Sequence, residues 1–221
     1  MKIIEQSHEI LILSENILQN IEKAGRTCYK SEDKITPESA PVFVQTLLKR
    51  GHHAMIEFAD ITVRFITNRG VTHELVRHRI CSFAQTSTRY VKYDEEMEFI
   101  RPVWIDKKYL GTWNKERVLS MNNDESTHDI MCFMASLDLA QKTYSKLING
   151  GGWRPEQARE VLPNSLKTEI VVKANVREWI HILDLRCSKA AHPQMRALMI
   201  PLLKELKEKV PIIFNDLYPE I

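Results

Sequence analysis

The 221-residue sequence lacks the features that define several large classes of protein. Its few cysteines lie far apart with no C-x-x-C pair, which argues against a structural zinc site and a dense disulfide framework. These cysteines are Cys28, Cys81, Cys132 and Cys187. No segment approaches the roughly 20 consecutive apolar residues that a membrane-spanning helix needs. We therefore expect reduced thiols, no membrane partner and a cytoplasmic location.

The opening residues do not predict a signal peptide, and the sequence has little excess of one charge. The opening MKIIEQSHEILIL is interrupted by Glu5, His8 and Glu9, so it lacks the apolar core of a signal peptide. Lysine and arginine number 31 against 29 for aspartate and glutamate, a net charge of +2. This balance provides no general basic surface for nucleic acid, so we expect no such partner and only local anion sites.

Several familiar cofactor motifs are absent. There is no G-x-G-x-x-G, no Walker A lysine loop and no H-E-x-x-H. The three glycines at 150–152 precede Trp153 and Pro155, which is typical of a helix end rather than a phosphate-binding loop. The eight histidines are too scattered to nominate a ligand set, so we predict no metal site.

Helical spacing of apolar residues predicts most of the helices. One helix lies in SENILQNIEKAG and is predicted to end at Gly25, and a second begins with Thr36 as its N-cap and stops at Gly51. A short helix opens at 68–70. A long helix starts near Glu125 with an apolar stripe that we interpret as core, and later helices are predicted from Pro155, from Arg177 to Cys187 and from Pro193 to Lys209. The stripe is Ile130, Phe133, Met134, Leu137, Tyr144, Leu147 and Ile148.

Alternating apolar residues predict the strands. They occur in KIIEQSHEILIL, in ITVRFIT and in TEIVVKANV. The strands and helices do not alternate as regular βαβ units, which favours an α+β fold over a doubly wound sheet. We predict a single domain over residues 1–221, with mixed helices and a small, mainly antiparallel sheet.

The stretch RHRICSFAQTSTRY, from Arg77 to Tyr90, concentrates cations and hydrogen-bond donors. Adjacent cations repel each other unless an anion compensates them. One interpretation is a solvated helix face on which Glu74 pairs with Arg77. The other is an anion site, because the residues at 85–89 carry the donors that hold a phosphate or a pyrimidine edge.

Cys81 lies between Arg79 and Ser82, so it is either a thiolate stabilised by cations or a small buried hydrophobic residue. A phosphatase loop of the form C-x5-R is excluded, since position 87 is serine.

A second group of polar residues lies on the predicted helix from Arg177 to Cys187. Arg177, His181 and Asp184 share one stripe, whereas Arg186 falls among the apolar residues of the opposite side. Because an uncompensated buried charge is very costly, Arg186 needs a partner. A buried ion pair with a carboxylate and a ligand site both remain open.

At these residues the sequence resembles the flavin-dependent thymidylate synthases, whose signature is R-H-R, seven residues, then serine. Here the signature is Arg77-His78-Arg79, then ICSFAQT, then Ser87. The upstream segment RGHHAMIEF resembles the family's G-H-x-x-x-x-E-H, with Phe58 in place of the second histidine and Ala54 where a hydroxyl residue often touches the flavin. Downstream elements match at Arg159, Leu162-Pro163, Asn175-Val176-Arg177 and Leu185-Arg186, so the likeness spans roughly residues 40 to 200.

The resemblance implies a function for these residues. Members make dTMP from dUMP with methylenetetrahydrofolate as carbon donor, FAD reduced by NADPH as hydride source, and active sites shared within a homotetramer. By position, the residues that contact FAD are Ala54, Arg77, His78, Arg79, Gln85, Asn175, Val176, Arg177 and His181. Those that hold dUMP are Glu74, Arg77, Gln85, Thr86, Ser87, Thr88, Arg89, Arg159 and Arg186. Arg186 is the implied catalytic residue, stabilising negative charge on the uracil ring.

The alternative function comes from another class of protein. A nucleotide-binding or RNA-binding module without chemistry would use the same arginine loop as a phosphate clamp. A bound flavin separates the two, because only the synthase needs one.

Overall fold

The computed structural model of the protein describes residues 1–93, 96–114, 117 and 127–221. The predicted start of the long helix at Glu125 lies outside these residues.

The described residues contain short strands and longer helices. The strands are β1 Lys2–Ile4, β2 Ser7–Leu13, β3 Asp60–Asn68, β4 Ser82–Gln85, β5 Glu98–Ile100, β6 Gly111–Thr112 and β7 Lys167–Asn175. The helices are α1 Ile17–Tyr29, α2 Ser39–Lys49, α3 Arg69–Leu75, α4 His128–Asn149, α5 Pro155–Ala158, α6 Val176–Cys187, α7 Pro193–Lys209 and α8 Pro211–Phe214. Short 3-10 turns occupy Glu32–Lys34, His53–Phe58, Lys107–Tyr109 and Arg159–Val161. None of the helices in these ranges is both long and apolar enough to cross a membrane.

The strands form two small sheets. In the three-stranded sheet the order is β5-β1-β6, with β1 parallel to β5 and antiparallel to β6. In the four-stranded sheet the order is β2-β3-β7-β4. Among the described residues, more lie in helices than in strands, and the two kinds of element do not alternate regularly along the chain. This confirms the predicted α+β class.

The chain divides into two compact units. The first comprises Met1–Ser7, Ile66–Glu74 and Gln85–Ile170, and the second comprises His8–Phe65, Leu75–Ala84 and Val171–Ile221. Whether residues 1–221 behave as one domain stays a prediction.

The core of the first unit is built around α4. Met134, Leu137 and Tyr144 are buried there, and the other members of the predicted apolar stripe pack against the same cluster. Phe99 from β5 and Trp113 are buried in it too. The interpretation of this stripe as core is therefore confirmed.

The core of the second unit is built on α6, which packs against α7. Trp179, Ile182 and Leu183 of α6 are almost completely buried, and the indole N–H of Trp179 donates to the carbonyl of Ile61 over 2.9 Å. Burial of such large apolar side chains contributes about 1.5–3 kcal/mol each. This packing fixes the helix that carries Arg177, His181 and Arg186.

Two predicted helix boundaries are wrong. Helix α1 continues past Gly25 to Tyr29, because Gly25 is a packing position: a Cβ there would lie 2.5 Å from Cε1 of Phe43 in α2. Helix α2 begins at Ser39 rather than at Pro37, with Glu38 as the residue before it. The hydroxyl of Ser39 accepts the backbone N–H of Thr36, so Thr36 lies in a turn ahead of the helix instead of capping it.

Replacing Gly25 by valine tests this close helix contact. Gly25→Val should destabilise the protein by about 1–3 kcal/mol because the added atoms overpack the contact with Phe43, although valine favours helix more than glycine does. Lys23→Val places the same side chain at an exposed position of α1 and should change stability by less than about 0.5 kcal/mol. Urea unfolding measures both, and equal stability of the two variants would contradict the packing role of Gly25.

Candidate active site

The N-terminus of α6, in the second unit, carries polar side chains. Asn175 caps the helix, its Oδ1 accepting the backbone N–H of Glu178 over 2.8 Å. Arg177 follows in the first turn, exposed, and its Nη1 donates to Oε1 of Glu57 over 2.6 Å. Free N–H groups and the helix dipole favour anions at such an end, and Arg177 adds a positive charge.

In the last turn of α6, Arg186 contacts the histidine of the R-H-R motif. The Nε–H of Arg186 donates to Nε2 of His78 over 3.0 Å. On the opposite edge of the imidazole, Nδ1 of His78 lies 3.6 Å from Oε1 of Glu178. The side chains of His78 and Glu178 are only 5% and 10% exposed, so this row of carboxylate, imidazole and guanidinium is largely shielded from water.

His78 is neutral in this arrangement. Burial, with smaller contributions from the charge of Arg186 and from His181, lowers its pKa to about 4. A guanidinium donates hydrogen bonds and never accepts them, so Nε2 must be unprotonated. The imidazole proton therefore lies on Nδ1, the nitrogen nearest the Glu178 carboxylate.

His78, Glu178 and His181 are also the one group among the described residues whose spacing would suit a metal ion. Each offers a ligand atom within 4.8 Å of the others. The guanidinium of Arg186 occupies the other nitrogen of His78, and its charge opposes a second cation there. We interpret the group as a row of interacting side chains in which Arg186 donates to His78 and Glu178 lies at ion-pair distance from the other ring nitrogen, and the absence of a metal stays a prediction.

Three clefts of the second unit surround the start of α6. One, of about 560 Å³, is lined by Asn175, Arg177 and His181 together with Glu57. Another, of about 510 Å³, is lined by Ala54 and Arg177. A third, of about 320 Å³, is lined by Arg79 and Asn175. Their sizes fit those of small-molecule and cofactor sites.

Cys81 borders the third cleft but is not a reactive thiolate. Burial, together with the nearby Glu178 carboxylate, raises the pKa of its thiol to about 12. The interpretation of Cys81 as a cation-stabilised thiolate is therefore wrong, because desolvation and a carboxylate outweigh the cationic neighbours in sequence.

The predicted nucleotide loop lies in the first unit. Gln85 donates from Nε2 to the hydroxyls of Thr72 and Thr168, at 3.0 and 3.2 Å, so its side chain is fixed at the end of β4. Beyond it the chain turns at Ser87, whose carbonyl accepts from the backbone N–H of Tyr90 and of Val91. Arg89 is exposed on this turn.

The remaining predicted residues differ in exposure. Val176 is fully buried with its N–H bonded to the carbonyl of Ala59, and Thr88 is buried as well. Arg77 and Arg79 are exposed. In the first unit, Thr86, Glu74 and Arg159 are half-buried, and Nε of Arg159 lies 3.8 Å from Glu160.

The structure thus brings Arg186 and His78 together and places Asn175, Arg177 and His181 on one cleft. The burial of Val176 and Thr88 disfavours contacts by their side chains with a ligand.

Two residues of this site were not predicted from the sequence. Glu178 stands beside His78 but looks like an ordinary acidic residue in the first turn of a helix, so its role gave no sequence signal. Glu57 is the glutamate of the G-H-x-x-x-x-E-H segment, and that match was available as a signal. A contact of Arg186 that the sequence did not predict is the one with the imidazole of His78, which has the Glu178 carboxylate on its other side.

Comparison with known proteins agrees with this site. Residues 10–212 match the family model described as thymidylate synthase complementing protein. A flavin-dependent thymidylate synthase of Corynebacterium efficiens is 34% identical over 218 residues, covering 90% of this chain and 79% of the relative. One of Mycobacterium avium is 32% identical over 200 residues, covering 89% and 78%.

The fold is also similar to a solved structure. That structure is the UMP/dUMP methylase PolB from Streptomyces cacaoi bound with 5-Br dUMP, which superposes with a TM-score of 0.76. The match covers 97% of this chain and 96% of PolB at 20% identity, which establishes a shared fold. With the family match over residues 10–212 and relatives above 30% identity, the predicted family is confirmed: the chain belongs to the thymidylate synthase complementing protein family.

Proposed function

We propose that this protein is a flavin-dependent thymidylate synthase, a methyltransferase that converts dUMP to dTMP. The observation that carries the proposal is the guanidinium of Arg186 fixed on neutral His78, in a chain whose relatives carry that name. The carbon comes from methylenetetrahydrofolate, and NADPH supplies the electrons.

Arg186 has the properties that the ring chemistry needs. Substitution at C5 of uracil requires that carbon to act as a nucleophile, and negative charge develops on the ring oxygens as it does so. A fixed planar guanidinium stabilises such charge without having to reorganise. The contact with His78 restricts Arg186 to one orientation, and the neutral state of His78 keeps a competing positive charge out of the site.

The second unit has a donor set that fits FAD. The open N-terminus of α6 beside Arg177 suits a pyrophosphate, and the clefts on either side of Arg177 are large enough for parts of a dinucleotide. Asn175, Arg177 and His181 would hold the cofactor, with Ala54 and Arg79 at the neighbouring clefts. When bound, FAD supplies the hydride that reduces the transferred carbon to a methyl group.

The loop from Gln85 to Arg89 is the proposed nucleotide-binding segment. Its turn presents hydroxyls and a cation, which recognise phosphate through charge-assisted hydrogen bonds. Gln85 is positioned by the two threonines of its own unit, so it can offer its remaining amide oxygen in a fixed direction. Glu74 and Arg159 complete the proposed set of dUMP-binding residues. The resemblance to the family adds Arg77 and Thr88 to this set.

The assembly and location are proposed from the same resemblance. A homotetramer with shared active sites in the cytoplasm is the expected form of the enzyme. The alternative of a binding module without chemistry loses support, because the relatives that match almost the whole chain are named as synthases.

The folate product tests the proposed reaction. Flavin-loaded protein with dUMP, methylenetetrahydrofolate and NADPH should form dTMP and tetrahydrofolate in equal amounts, because the reducing hydride comes from the flavin rather than the folate. Chromatography separates the two folates. Dihydrofolate formed one-for-one with dTMP would contradict the mechanism, and the absence of a visible flavin band after loading would contradict the cofactor.

Arg186→Ala should lower kcat by about 100-fold or more, as removal of a charge-stabilising donor does in other active sites. Arg186→Lys should recover little of this loss, because a point charge cannot reproduce the planar fork. Lys204→Ala, at an exposed position of α7, is the matched control and should leave the rate unchanged. If the two alanine variants turn over equally fast, Arg186 has only a structural role.

Cys81→Ala should stay within about threefold of the parent activity, since truncating a small buried side chain costs only ~1 kcal/mol of stability. With a pKa raised to about 12, roughly 10⁻⁴ of the thiol is ionised at pH 8. Cys132→Ala, at an exposed cysteine, is the control. Complete loss of turnover by Cys81→Ala with flavin and dUMP still bound would indicate covalent catalysis through the thiol.

A further inference from the structure

Glu178 stands out among the charged groups to which the proposed function assigns no role. It is a buried carboxylate, 8% exposed, in the first turn of α6. Its backbone N–H is held by the Asn175 cap, which fixes where its side chain begins. Its Oε1 lies within ion-pair distance of His78, 3.6 Å from Nδ1.

The charges on the two sides of His78 act in the same direction. The guanidinium on Nε2 requires that nitrogen to be an acceptor, and the carboxylate on the Nδ1 side favours a proton there. If the proton moved to Nε2, two donors would face each other at 3.0 Å. Both flanking charges therefore favour the one tautomer that lets the ring hold Arg186.

The carboxylate also changes the balance of charge in this shielded site. A guanidinium against a neutral ring retains its full positive charge, and Glu178 lies one imidazole away to compensate it.

We propose that Glu178 is a positioning residue that acts through His78: it holds the imidazole in the tautomer with the proton on Nδ1 and so fixes Arg186 in its working orientation. The arrangement is similar in logic to the carboxylates that orient metal-bound or catalytic histidines. Its kinetic consequence rests on the proposed function, whereas the tautomer does not.

The tautomer of His78 in the unmodified protein is the first test. In ¹⁵N-histidine-labelled protein without ligands at pH 7.5, the two ring nitrogens give separate resonances, and a His78→Gln sample assigns them. Nδ1 should carry the proton in nearly all molecules. A proton on Nε2 would overturn the proposal, whatever the protein catalyses.

Glu178→Gln removes the charge while keeping the shape of the side chain. The fraction of molecules with His78 protonated on Nδ1 should fall, and the Nε–H of Arg186 should exchange faster with water. The value of kcat should fall about 10- to 100-fold, a larger change than the rise in KM for dUMP. Glu205→Gln is the control, since it removes a carboxylate of the same unit that lies 3.0 Å from a different histidine, His8. An unchanged tautomer in Glu178→Gln would overturn the proposal.

If that variant does not fold, a second variant, Glu178→Asp, moves the carboxylate away from His78 by one methylene. It should shift the tautomer in the same direction.

A double-mutant cycle separates positioning from a general structural effect. If Glu178 acts through Arg186, Glu178→Gln should cost little further activity in an Arg186→Ala background. Equal fold losses in both backgrounds would overturn the proposal. Should the parent protein form no dTMP, the proposed function fails, and the tautomer measurements still decide the role of Glu178.

Discussion

The hydrogen bond from Arg186 to His78 is the interaction on which the proposed chemistry depends. It joins two distant segments, the R-H-R motif after α3 and the last turn of α6, which lie 108 residues apart in sequence. It exists only while His78 is neutral, and burial keeps it neutral by lowering its pKa to about 4. The core that buries Trp179, Ile182 and Leu183 therefore serves the site as well as the fold, because it fixes the position of α6, which carries Arg186.

The same exclusion of water explains why the pKa of the Cys81 thiol is raised. Desolvation disfavours charged forms of any sign, so it lowers the pKa of an imidazole and raises that of a thiol. His78 and Cys81 show these two opposite shifts within four residues of each other. A site that keeps its histidine neutral in this way cannot also use Cys81 as a thiolate, which favours activation of the pyrimidine by a fixed cation.

Much of this fold could be predicted from the sequence, and the failures have identifiable causes. The apolar stripe of α4 and the alternation in β7 are strong local patterns, and both elements are present. Gly25 was wrongly predicted to end α1 because glycine serves both to end helices and to let them pack closely, and only the position of Phe43 distinguishes the two roles.

For the site, motif spacing identified Arg186 and His78 separately. Their contact, and the place of Glu178 behind it, depend on tertiary structure that no local pattern encodes.

The central claim is that this protein replaces the C5 hydrogen of dUMP with a methyl group. The most direct measurement is the release of tritium to water from dUMP labelled at C5, in the presence of flavin, NADPH and methylenetetrahydrofolate. One tritium should be released for each dTMP formed, with release dependent on the folate. Binding of dUMP to the flavin-loaded protein without release of tritium to the solvent would contradict the proposed reaction.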